Sequence, residues 1–390
     1  MRADILRVPR AGVVFDRNEV AGAFGNLGIP LPLILSMIAV NGLDAASAFT
    51  MYGLFQILTA FTFGVPIPVQ PLKAMAAIML TQRLPASYLF GGGLVVGIFF
   101  TILGVTKLIE WLNRAIPISV VRGIQLGLGL QLLSIASQFM LKDGSAGLIL
   151  SIVGVVVTLL LFSSRRLPPA LLLLAIGLGY AFATGLRVDM FWNGAGLVLP
   201  KLFLPSFNDL LMGTVLLAVP QIPLSLGNSI IGTSLLSLDL FPKQKPVTTK
   251  SLSINYGLMN LVSPFVSGIP MCHGAGGLAG HYRFGARTGG ALIIIGSIFL
   301  TVGLLYSRVV QSMMSIFPLS ILGVMLFFSG LELALTMRGV VANRDELFVT
   351  LFVAALAAFV PYGYVIGLVA GWILAKATQT TRFKFYTNGA

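Results

Sequence analysis

Two hydrophobic stretches of this chain are too short to do what their neighbours do. They lie at about 69–81 and 272–283, inside GVPIPVQPLKAMAA (64–77) and GIPMCHGAGGLAGH (268–281). As helices of about 12–13 residues they reach only ~20 Å, against a hydrocarbon core of ~30 Å. Extended backbone before each, VPIPV and IPM, must complete the crossing. Such backbone survives at membrane depth only where it lines a protein cavity. The preceding spans also match. YGLFQILTAFTFGVP (52–66) lies over YGLMNLVSPFVSGIP (256–270), with Tyr52/Tyr256, Gly53/Gly257 and Pro66/Pro270 identical. IPISVVRGIQLGLGLQ (116–131) lies over FPLSILGVMLFFSGLE (317–332), pairing Gly129 with Gly330 and Gln131 with Glu332. The chain reads as two related halves, and interrupted segments in corresponding positions point to an intramembrane binding site.

The rest of the chain fits a membrane. Only 9% of residues are charged and 57% are hydrophobic, whereas a soluble domain carries about 25% charge. Fourteen hydrophobic segments follow: about 20–41, 45–65, 69–81, 87–109, 116–141, 146–163, 169–186, 209–235, 249–267, 272–283, 287–307, 315–336, 346–360 and 362–377. The expected fold is therefore all-α and polytopic. Its fourteen transmembrane segments form a 7+7 inverted repeat, with half-helices at the third and tenth. The divisions expected are a cytoplasmic lead (1–18), a first repeat (19–186), a linker with room for an interfacial helix (187–208), a second repeat (209–377) and a cytoplasmic tail (378–390).

Loop charge sets the orientation. Of 25 Lys and Arg, eighteen fall on the N-terminal side of the membrane and five on the other; Lys73 and Arg122 lie within segments. Positive loops stay inside, so both termini are expected in the cytoplasm. The pI near 10.2 reflects this topology; without a basic cluster interleaved with aromatics, nucleic acid is not an expected partner. One cysteine, Cys272, allows no internal disulfide. The N-terminus has no apolar core or cleavage site, so no signal peptide is expected.

The candidate chemistry gathers at the two short helices. Each N-terminus carries roughly half a positive charge and unpaired N–H donors. Lys73 adds a full charge in the first turn of the third segment, and Gln70 and His273 offer further hydrogen bonds. At the tenth, Gly274, Ala275 and Gly276 of HGAGG let backbone N–H groups approach an oxyanion closely. The alternatives are tight helix packing for the glycines and a snorkelling lysine. The eighth segment places Gln221, Ser225, Asn228 and Ser229 largely on one face; the first mirrors it weakly through Asn26. Packing by interhelical hydrogen bonds is the alternative for these. Of the acids, Glu332 alone sits well inside a span, either as a coupling group or as a structural hydrogen-bonding group. His281 reads as interfacial. No metal cluster, nucleotide loop or nucleophile triad is present, so neither an enzyme nor a cofactor is expected.

The motifs PVQPLK (68–73), PQIPLSLGNSI (220–230), SLDLFP (237–242) and PMCHGAGGLAGHYRFGARTGGA (270–291), with NGLD (41–44), resemble the molybdate transporter family, a branch of the sulfate permease superfamily. The resemblance spans about 19–380. It implies the 7+7 fold with core and gate domains and a secondary transporter of molybdate, moved by alternating access of elevator type. It sets the substrate against Gln70, Lys73, Gln221, Asn228 and the 273–277 entrance. Two departures stand out: Asn26 in GNLG replaces a frequent Asp, which puts ion coupling in question, and His281 replaces Gln. Sulfate transport and an anion channel of the same fold are the alternatives. The expected setting is the cell (plasma or inner) membrane. The expected partners are molybdate, with tungstate or sulfate as alternatives, and the lipid bilayer; a homodimer stays open.

Overall fold

The computed structural model describes residues 13–378 apart from 107, 110, 112–114, 165 and 166. Most of the Arg-rich lead, the end of the tail and the loop cations Lys107, Arg114, Arg165 and Arg166 lie outside the described residues.

The first hydrophobic segment is broken in two. Helix α1 (Arg17–Ala23) starts where the Asp16 carboxylate accepts the N–H groups of Asn18 and Glu19. A turn follows, and Pro30 opens α2 (Pro30–Asn41), where a missing N–H has no cost. Asp44 caps α3 (Ala45–Phe63) by accepting from Ser47 N, and α3 ends on Gly64 at φ 69°. Next come β1 (Gln70–Pro71), α4 (Lys73–Gln82), α5 (Ala86–Thr106), α6 (Ile118–Met140), α7 (Gly144–Leu161) and α8 (Pro169–Thr184). The linker holds a five-residue helix, α9 (Asp189–Asn193). Then follow α10 (Phe207–Leu240), α11 (Thr249–Val262), β2 (Met271–Cys272), α12 (Ala275–Arg283), α13 (Gly290–Leu305), α14 (Ser307–Met313), α15 (Leu319–Leu335), α16 (Arg344–Phe359) and α17 (Gly363–Thr378).

Six of these helices are long and apolar enough to cross a bilayer, or seven if α13 and α14, bent by 83°, form one span. The other hydrophobic segments of the sequence form shorter helices, because Pro and Gly interrupt them. The outer surface is apolar: α7 exposes Ile149, Ile152, Val156, Leu159 and Leu160. A stripe of that kind suits lipid, not water. The chain is an all-α polytopic membrane protein.

Close backbone contacts join the helices. A Cβ on Gly53 of α3 would lie 2.5 Å from Gly296 O of α13, and one on Gly257 of α11 would lie 3.1 Å from Gly97 O of α5. Gly129 of α6 faces Gly330 of α15 in the same way, at 2.8 Å. Small residues at these points let the backbones approach.

The extended stretches are satisfied inside the protein. β1 and β2 pair antiparallel, Gln70 with Cys272 and Pro71 with Met271, and Leu72 N donates to Pro270 O at 3.1 Å. Two amide side chains hold the flanks. Gln56 Nε2 donates to Val69 O (3.1 Å) while its Oε1 accepts from Val69 N (3.4 Å). Asn260 does the same to Met271, donating to its O at 2.6 Å and accepting from its N at 2.8 Å.

Candidate functional site: a cavity between the two short helices

α4 and α12 begin beside the β1–β2 pair, so their first turns are held close together. Lys73 is the first residue of α4 and is only 8% exposed. Neither ion pair among the described residues, Arg187–Asp189 and Lys201–Asp44, involves it. Glu332, which lines a cavity with Lys73, interacts with it only through its more distant field; a buried ammonium with no carboxylate in direct contact is costly, and a bound anion relieves that cost. Lys73 lines a cavity of ≈ 110 Å³ with Ile29, Gln125, Asn228, Gly276, Ser329 and Glu332. That volume is well above the ~10–15 Å³ one water requires. A larger cavity of ≈ 290 Å³ shares Ile29, Gly276, Ser329 and Glu332 with it and adds Asn26, Thr158 and Arg283.

Gly276 faces both cavities, and nothing lies within 4 Å of where its Cβ would be. α12 has no side-chain cap, so N–H groups of its first turn are without an intrahelical partner. Gly274, the residue before α12, is enclosed: a Cβ there would collide with Gln70 Oε1, and Asn228 Nδ2 lies 3.5 Å away. Ala275 follows it as the first residue of α12 and is half-buried. Gln70 is fully buried and donates from Nε2 to Asn26 Oδ1 at 2.6 Å. Gln70 Oε1 and Asn26 Nδ2 remain buried without partners. The structure thus brings Asn26, Gln70, Lys73, Asn228, Gly274, Gly276 and Glu332 together.

Two expected ligands are occupied elsewhere, and a third is occupied at one of its two ring nitrogens. Gln221 Oε1 accepts from Ala74 N (2.9 Å) and Met75 N (3.3 Å), so this side chain caps α4 and uses up two of its free donors. Its Nε2 donates to Ser225 Oγ (2.8 Å), which in turn bonds Tyr256 OH (2.7 Å). Neither Gln221 nor Ser225 lines either cavity. Both belong to α10, where Pro220 and Pro223 remove N–H donors and the helix loosens into wide turns at Thr214–Ala218 and Ser225–Gly232. Such turns rotate side chains away from regular spacing. His273 is the third. Its Nδ1 donates to Pro68 O at 3.0 Å and its ring packs edge-on to Phe63. His281 is also not interfacial: it is 1% exposed and donates from Nδ1 to Gly22 O at 2.8 Å.

Glu332 and its sequence counterpart Gln131 have separate environments. Gln131 is engaged by Thr81, Tyr364 and the carbonyls of Ala357 and Ala358. The Glu332 side chain is exposed where the two cavities meet. Sequence reasoning missed Gln125 and Ser329. Ser329 lies three residues before Glu332, which puts both on one helical face. Arg122, which like Lys73 lies away from the ends of its segment, would have pointed to Gln125.

Residues 18–132 and 213–333 match a family described as the molybdate transporter of the MFS superfamily. Molybdate transporter 2 of Arabidopsis thaliana is 33% identical, over 87% of this chain and 82% of that protein. Among solved structures, the transmembrane domain of the cyanobacterial bicarbonate transporter BicA superposes with TM-score 0.66 at 18% identity, covering 93% of this chain and 98% of that one. The murine Solute Carrier 26 family member A9 anion transporter, in its inward-facing state, gives TM-score 0.72 at 13% identity, covering 96% and 70%. At such identities the two structures speak for the fold alone, whereas the family match and the plant relative speak for descent, and on them this chain belongs to the molybdate transporter family.

Proposed function

We propose that the protein is a secondary transporter of molybdate that binds the anion in the cavity between Lys73 of α4 and Gly276 of α12. The observation that carries this is the nearly buried Lys73 ammonium, with no direct ion-pair partner, opposite an uncapped helix start. A tetrahedral dianion sheds its water on entry, and the site must replace those hydrogen bonds. Lys73 supplies charge; Asn228 and the first N–H groups of α12 supply donors. Membership of the molybdate transporter family favours molybdate among oxyanions.

The mechanism we propose rests on a 7+7 inverted repeat with α4 and α12 as half-helices. It is supported by features that recur in equivalent places. Gln56 and Asn260, each four residues after a matched tyrosine, clamp the two extended stretches in the same way. The glycine contacts pair α3 with α13 and α11 with α5, which is one contact repeated with the halves exchanged. The cavity-lining residues fall into two groups. Asn26, Lys73, Asn228 and Gly276 come from segments one, three, eight and ten; Gln125, Thr158, Ser329 and Glu332 come from five, six and twelve. A sliding of the first group as one body past the second would carry the anion across. With both termini cytoplasmic, the cavity edge at Phe162, Ser164 and Arg283 lies on the cytoplasmic side, which makes this an inward-open form. Glu332, across the cavity from the core, is the coupling group we propose.

The test is equilibrium binding of molybdate, tungstate and sulfate to purified protein, with uptake into proteoliposomes. Tighter binding of molybdate than sulfate, saturable uptake and accumulation against a gradient are expected. Sulfate preference would reassign the substrate, and non-saturating flux that only dissipates a gradient would make the protein a channel.

A further inference from the structure

Arg122, like Lys73, lies away from the ends of its hydrophobic segment, and the binding site above does not use it. It lies one turn into α6, half-buried. Its Nη1 donates to Gln125 Oε1 at 2.9 Å, and Gln125 lines the Lys73 cavity with Thr336. Its Nε is buried with no partner. The turn that follows α15 faces it: Arg122 Nε and Nη2 lie 4.0 Å from where a Gly339 Cβ would be. Arg338 on that turn is exposed and near enough for its charge to act on Arg122. No carboxylate pairs with either arginine among the described residues. Attraction to the C-terminal carbonyls of α15 accounts poorly for this, because no hydrogen bond joins Arg122 to them. Two arginines within reach of each other's charge, one with a free donor, form a site for an oxyanion.

We propose that Arg122 and Arg338 form a second oxyanion station beside the Lys73 cavity, where transported anion pauses between that site and the aqueous phase, with Gln125 joining the two. This rests on the transport reading above. A phosphate on a lipid headgroup has the same chemistry; the link through Gln125 to the cavity favours the transported anion.

The experiment is molybdate uptake into vesicles of phosphatidylcholine alone, and of phosphatidylcholine with anionic lipid, at two ionic strengths. In both lipids, Arg122→Gln is expected to raise KM about fivefold or more and to weaken its salt dependence, with kcat little changed. Arg122→Lys is expected to keep most of the affinity. Arg338→Gln, at an exposed position that cannot disturb packing, is expected to show a smaller shift in the same direction. If Arg122→Gln and Arg338→Gln both leave KM and its salt dependence unchanged while wild type transports, the station is overturned and the transport reading stands. An effect confined to vesicles with anionic lipid assigns the arginines to lipid and also overturns it. If wild-type protein takes up no oxyanion at all, the transport reading fails and the station falls with it.

Discussion

Gln70 Nε2 donates to Asn26 Oδ1 at 2.6 Å, tying the first extended stretch to the break in the first hydrophobic segment. Both residues are uncharged, so they add no negative field to the cavity that Asn26 lines. Asn26→Asp would preserve the hydrogen bond while placing a carboxylate there. Molybdate affinity is expected to fall at least tenfold at pH 7.5, about 1.4 kcal/mol, and to recover as the medium is acidified and the new carboxyl is neutralised. A Kd that ignores both the substitution and the pH would remove Asn26 from the site.

Lys73→Ala deletes the cavity's nearest cation. A hydrogen bond to a charged group contributes about 1.5–3 kcal/mol, so binding is expected to weaken by roughly 10–150-fold. The yield of folded protein should change far less, because an ammonium with no direct ion-pair partner is removed from a buried place. Unchanged affinity in purified K73A would return this lysine to a purely structural role.

Gly276 and Gly274 separate obstruction from distortion. Gly276→Val adds bulk where space is open and both cavities meet; it is expected to keep the thermal stability of wild type and lose molybdate binding. Gly274→Ala already presses on Gln70, so it is expected to lower both stability and binding. Normal binding by Gly276→Val would move the site away from α12.

Glu332→Gln is expected to flatten the pH dependence of uptake, since Glu332 alone among the acids of the spans meets both cavities. Uptake rates measured from pH 5 to 8 in matched vesicles decide this. A profile of unchanged shape would leave Glu332 outside the coupling.

Asp44 gives a stability test away from the cavity. Burial pushes its pKa up, but Lys201 and the Ser47 N–H and hydroxyl outweigh that, and the net shift is downward. The folded pKa lies below the unfolded value, so this stabilisation is complete above the unfolded pKa and lost as pH falls through the folded one. Asp44→Asn keeps a helix cap but loses the charge facing Lys201, so it is expected to cost up to about 1 kcal/mol at neutral pH, read as a lower Tm in detergent. The gap from wild type should narrow as pH falls through the folded pKa, which lies below the ordinary aspartate value.

The two short helices were legible in the sequence because length against bilayer thickness is a one-dimensional test. Lys73 and Glu332 were legible for a related reason: charge inside an apolar run needs an explanation. Gln221 was not. Its spacing to Ser225 and Asn228 puts it on a face, but only folding brings it to Ala74 and Met75, 147 and 146 residues away. His273 was legible only in part: the Pro68 carbonyl that holds its Nδ1 lies 205 residues back, while its Nε2 is buried without a partner. The break at 24–29 was not read from the sequence: the hydrophobic run continues through it, and Pro30 opens the second helix.

The pairing of Gln70 with Cys272 also sets a timetable for biogenesis. When residues 64–82 leave the ribosome, the strand that will accept the Leu72 N–H, at Pro270, has yet to be made. The first extended stretch therefore enters the membrane with open backbone groups. They must be held by water or by insertion machinery until almost two hundred further residues have followed.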